Sequence, residues 1–141
     1  MATKTRAELD AYFEADDTPT QSQYQDVFDS FVNIQDDKVL TGGENAITAH
    51  VGGGQANATQ LTKSVNGITV CASDNDSVKL PATAAGRVIF VSNMTAHICD
   101  LYPQAGEQIY GHLADVPHNM AAGISYCFVS DGVIWFGGIL S

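Results

Sequence analysis

The chain has 141 residues, 45% of them hydrophobic but only 16% charged, and a formal net charge of −10. Counterion release on nucleic acid, or docking on an anionic membrane, rewards clustered Lys and Arg. Here 6 basic residues stand singly among 16 acidic ones, which excludes both as direct partners.

Residues 1–40 carry nine acids against three bases and no glycine; all 13 glycines follow. This segment reads as a short two-helix arm. Thr5-Arg6-Ala7-Glu8 has the capping-box pattern, in which the Thr side chain caps the helix and the Glu reaches back. A helix to about Phe13 then places Leu9, Tyr12 and Phe13 on one side. Asp16-Asp17-Thr18-Pro19 breaks it. Thr20-Gln21-Ser22-Gln23 offers a second capping box, followed by Tyr24, Val27, Phe28 and Phe31 at helical spacing. Two helices this short need a surface to bury their stripes. That surface is the body, a sister chain or another protein.

Residues 41–60 read as a glycine-rich connector, flexible unless packed, with a short strand at 46–51. Residues 61–141 read as an antiparallel β domain, a sandwich or barrel, because turn signals recur about every 8–12 residues. Asn66-Gly67 between two apolar runs predicts a hairpin. Asp74-Asn75-Asp76-Ser77 reads as a polar turn. Strands are expected at 78–80, ending at Pro81; at 87–92; at 98–102, stopped by Pro103; at 108–110; and at 124–129. Asp131-Gly132 then turns into Val133-Ile134-Trp135-Phe136, a second hairpin.

Two runs do not alternate: Val88-Ile89-Phe90-Val91 and Val133-Ile134-Trp135-Phe136. A sheet with one wet face alternates apolar and polar residues, so consecutive large apolar residues imply cover on both faces. We expect one face on the core and the other on a neighbouring subunit, with Val88, Phe90, Ile134, Trp135 and Phe136 at the contact. That implies a homo-oligomer of cyclic symmetry.

The search for chemistry yields little. Cys71, Cys99 and Cys127 are odd in number and widely spaced in strand-like runs, which reads as buried free thiols. His112 and His118 can meet across a loop, but loop histidines without further ligands are commonly plain polar surface. His97 and Cys99 lack a third, orienting group for nucleophilic catalysis. Asp74-Asn75-Asp76 opens like a calcium loop, but Lys79 and Ala85 stand where Gly and Glu are needed. Gly52-Gly53-Gly54 lacks the phosphate-binding Lys. Tyr102, Tyr110, Tyr126 and Trp135 are candidates for stacking on sugars, though strand aromatics are usually core. We expect no enzymatic activity, cofactor or metal. No leader-like apolar stretch or membrane-length apolar run is expected.

Thr5 to Phe13, Pro19 to Tyr24 and Phe28 to Asn33 resemble an N-terminal segment of tailed-bacteriophage structural proteins. Gly86 to Asn93, Asp100 to Pro103, Gly106 to Gly111 and Ser130 to Trp135 resemble a small β domain of phage head-decoration, fibre and tail proteins. The resemblance implies a virion location after synthesis in the host cytoplasm, and partners such as the major capsid protein. It further implies a capsid cement protein, homotrimeric, that clamps neighbouring capsomers. The alternative is a head-fibre, neck or tail-fibre part that binds host glycans.

Overall fold

The computed structural model describes residues 42–140, together with Ala11, Thr18 and residues 20–24. The chain divides into two compact units, Met1–Lys38 and Val39–Ser141.

In the first unit, residues 21–24 form one helical turn. Its capping box is closed in both directions: the Gln23 amide donates to Thr20 Oγ1 at 3.3 Å, and the Thr20 amide to Gln23 Oε1 at 2.7 Å. Tyr24 sits on this turn, and its amide donates to the Thr20 carbonyl. The expected helix ending at Phe13, with Leu9, Tyr12 and Phe13, lies outside the described residues, as do Val27, Phe28 and Phe31.

The second unit is mainly β. Its strands are β1 (Gly43–Thr48), β2 (Thr59–Gln60), β3 (Val65–Val70), β4 (Asp76–Lys79), β5 (Val88–Asn93), β6 (Cys99–Tyr102), β7 (His118–Met120), β8 (Ser125–Ser130) and β9 (Trp135–Ile139). They form two mixed sheets: a larger one in the order β1-β3-β5-β8-β9 and a smaller one in the order β2-β4-β6-β7. Strands of both sheets feed one apolar core, which includes Ile68, Val91, Phe128 and Trp135 from the larger and Val78, Leu101 and Met120 from the smaller.

The expected all-antiparallel pairing is corrected here. β1, β3 and β5 pair parallel in the larger sheet, and β2, β4 and β6 parallel in the smaller. The first six strands alternate between sheets, so the chain winds as a coil. Val65 lies beside Phe90, and Asp76 beside Cys99, one winding on. Only β7, β8 and β9 run antiparallel to their neighbours and end the coil.

The Asn66-Gly67 hairpin does not form, because both residues lie inside β3. Asn66 is buried, and its amide group donates to the Lys63 and Phe90 carbonyls, one of which is on the next winding. Gly67 is there for space: a Cβ would stand 3.1 Å from Met94 Sδ and 3.2 Å from Asn45 Cα.

The glycine-rich stretch is the packed alternative. It supplies β1 and β2, and its triple-glycine turn is pinned by the Gly52 amide donating to Asp76 Oδ1 at 3.0 Å. Gly53 holds φ +71°, and a Cβ there would meet the Asn75 carbonyl oxygen at 2.6 Å. The expected turn at 74–77 shortens to a turn at 74–75, where Asn75 takes a positive φ, with Asp76 and Ser77 buried in β4. The hairpin after Ser130 does form, with Ser130 opposite Trp135. Its turn is longer than expected. Asp131 Oδ1 accepts from the Val133 and Ile134 amides, which keeps those two residues out of the strand. Their apolar run fails to alternate for that reason.

Candidate functional site

Burial alternates along β5. Ile89, Val91 and Asn93 are buried, while Val88, Phe90 and Ser92 are half-buried. β8 continues the pattern with Tyr126, Phe128 and Ser130 inside and Ser125, Cys127 and Val129 outside. Successive strand residues point to opposite faces, so the second set defines the outer face of the larger sheet.

Register joins these residues into rows. Val65, Phe90, Cys127 and Gly138 lie side by side across four strands. Val88, Val129 and Phe136 form the next row. Beyond Phe136 the ring of Tyr110 stacks on it, with centroids 5.4 Å apart. Tyr110 is held there because its amide donates to the Trp135 carbonyl and the Trp135 amide to that of Gln108. Leu140, just past β9, is also exposed. Not one of the 23 residues of β3, β5, β8 and β9 is Asp, Glu, Lys, Arg or His.

Strands about 4.8 Å apart and about 20 Å long give this five-stranded face an extent of about 480 Å². A standard protein interface covers about 800 Å² per partner, so this face could supply a little over half of one.

The predicted contact residues divide. Val88, Phe90 and Phe136 are on this face, with Phe136 41% exposed. Ile134 is half-buried in the turn before β9. Trp135 is corrected: it is wholly buried in the chain's own core and offers nothing to a partner. Tyr126 is buried too, its hydroxyl accepting from the Ala121 amide at 2.8 Å. The four aromatics considered for sugar stacking therefore do not form one surface. Sequence reasoning missed Val65, Cys127 and Val129. Alternation in β8 was visible, but nothing in it said which set faces out.

The smaller sheet is the opposite case. The chain's own 52–55 loop covers its outer side: Ser77 Oγ donates to the Gly54 carbonyl, and Lys79 Nζ to that of Gln55. Asp100 Oδ1 accepts from Asn119 Nδ2 at 2.6 Å. Burial pushes the Asp100 carboxyl above the ordinary range, and the Asn119 bond partly offsets this. For Asp76, burial again works upward. The amides of Gly52, Ser73 and Ala72 and the Ser73 hydroxyl outweigh it and hold the carboxyl below its usual range.

His112 and His118 do meet, Nε2 to Nδ1 at 3.3 Å. His118 packs edge-on against Tyr126 and Phe128, its centroid 5.2 and 5.7 Å from theirs, and so bridges the two sheets. Among the described residues no three His, Cys, Asp or Glu side chains converge as a metal requires. His97 pairs with Asp74 at 3.4 Å. Cys99 is fully buried, and desolvation raises its thiol far above the ordinary value. No helix among the described residues is long and apolar enough to cross a membrane.

No family model, no curated protein and no solved structure matches this chain.

Proposed function

We propose that this chain is a structural, non-enzymatic part of a tailed-phage virion: a sandwich-like β module that associates with copies of itself and decorates the capsid. The observation that carries the reading is the uncharged, apolar outer face formed by β3, β5, β8 and β9 of the larger sheet. Two copies that each bear a net charge of −10 repel wherever their acids approach. A neutral apolar face is where they can meet, and covering it removes Phe90, Val129, Phe136 and Tyr110 from water at about 25 cal/mol per Å². A cyclic trimer is the assembly we favour, and the resemblance of Gly86 to Asn93 and its companion segments to phage modules supports the virion assignment. The role on the shell is clamping, in which many modest contacts repeated over a lattice add up.

Two experiments test this. Sedimentation equilibrium of the full chain is expected to give an oligomer that Val129→Lys converts to monomer. A wild-type monomer at micromolar concentration overturns self-association. Phage shells prepared without the chain should open at lower temperature than complete shells. Equal resistance overturns the cement role.

A further inference from the structure

The coil brings together two cysteines that stand 28 positions apart in the sequence. Cys71 follows β3 directly, at the end of a strand of the larger sheet, and Cys99 opens β6 in the smaller. They are 6% and 0% exposed, and each thiol lies near enough to the other to influence its ionisation. Cys71 Sγ is also 3.2 Å from the Ser73 carbonyl oxygen and 3.7 Å from that of Ile98, the residue before Cys99.

Both backbones are held. The Asp76 carboxylate accepts from the Ala72 and Ser73 amides at 2.7 and 3.2 Å, which folds the turn after Cys71 onto β4. Asp76 is itself the register partner of Cys99. One carboxylate therefore fixes the approach of the two thiols. Cys127, on the outer face of the larger sheet, has no part in it.

We propose that Cys71 and Cys99 are a latent covalent staple between the two sheets, closed to a disulfide when the chain meets an oxidising disulfide of the glutathione type. The Cys71 thiolate attacks one sulfur of the oxidant and releases the first reduced thiol. The Cys99 thiolate then attacks the Cys71 sulfur of the mixed disulfide and releases the second. Two protein thiols are oxidised to one disulfide. Their two electrons reduce the oxidant disulfide to two thiols, and the two protons leave from the cysteines. Desolvation raises both thiols, first among the causes for each, so closure is slow at neutral pH and faster in mild alkali. The same burial shields the finished bond from reductants. Closing a loop of this length restricts the unfolded chain and should raise Tm by about 10 °C. The inference goes beyond self-association and does not depend on it.

The test oxidises the native full chain with oxidised glutathione at about pH 8.5, where free thiols begin to ionise. Remaining thiols are then blocked under denaturing conditions and the digest is mapped by mass spectrometry. The expected product links the Cys71 and Cys99 peptides with the loss of two hydrogens, and Tm rises. In Cys99→Ala the oxidant no longer raises Tm. Recovery of Cys71 and Cys99 as blocked thiols, as separate glutathione adducts, or bonded to Cys127 overturns the proposal.

Discussion

The two sheets share a core but treat solvent differently. Four strands of the larger sheet have no charged side chain, whereas the short strands of the smaller carry Asp76, Lys79, Asp100 and His118. The smaller sheet is covered from outside by the protein's own 52–55 loop, and Ser77, Lys79 and Asp100 make hydrogen bonds within the chain. The larger sheet leaves Val65, Val129 and Phe136 half exposed, with Tyr110 beside them. A sheet closed by its own loops needs no partner. The open apolar face is the one we propose for self-association, since large contiguous apolar patches are uncommon on monomers.

The comparison can be broken first at the inner faces, which should respond alike. Trp135→Ala in the larger sheet and Leu101→Ala in the smaller each empty a fully buried site. Chemical denaturation should show losses of about 3–5 and 2–5 kcal/mol. A loss below 1 kcal/mol at either position would mean that its sheet does not share the core.

Asp76→Ala tests the loop cover of the smaller sheet. It strands the amides of Gly52, Ala72 and Ser73, and should cost about 3 kcal/mol. Because the folded carboxyl is held low, the wild-type contribution is present above about pH 4 and is lost as pH falls through the folded value. A denaturation series across that range should show the loss in wild type and not in the variant.

The outer faces should diverge. Phe90→Asp places a charge in the middle of the bare face. It should weaken self-association by about 100-fold in a dilution series while changing monomer stability by about 1 kcal/mol or less. Lys79→Ala, under the loop of the smaller sheet, should leave association unchanged. Equal effects from the two would remove the distinction between the faces.

The smallest effect belongs to His118, which joins the sheets. Burial, and secondarily the neighbouring His112, lower its pKa. The folded chain therefore prefers the neutral ring, and the unfolded chain takes up the proton first. Its contribution is present above about pH 6.5 and fades as pH falls below that. Scanning calorimetry should show Tm falling by about 3 °C from pH 7 to 5, a slope that flattens in His118→Phe.

Several features were legible before any coordinates because they are local. The Thr20–Gln23 capping box, the stops after β4 and β6 at Pro81 and Pro103, and the hairpin after Ser130 each depend on a few adjacent residues. The apolar character of both sides of β5 was also visible in Val88 to Val91. β7 was missed because His118-Asn119-Met120 is short and mostly polar, and becomes a strand only by pairing with β6.

By itself, then, the sequence determined a β-rich body, its acidic balance and the apolar runs that make the open face. Tertiary structure alone decided the coiled path. Asn66-Gly67 fits a tight turn and a crowded strand interior equally well, and only Asn45, Phe90 and Met94 arriving from neighbouring windings select the strand. Which face of β8 looks outward and which cysteines meet were settled in the same way. Parallel pairing brings together residues a whole winding apart, and no short window of sequence contains both partners.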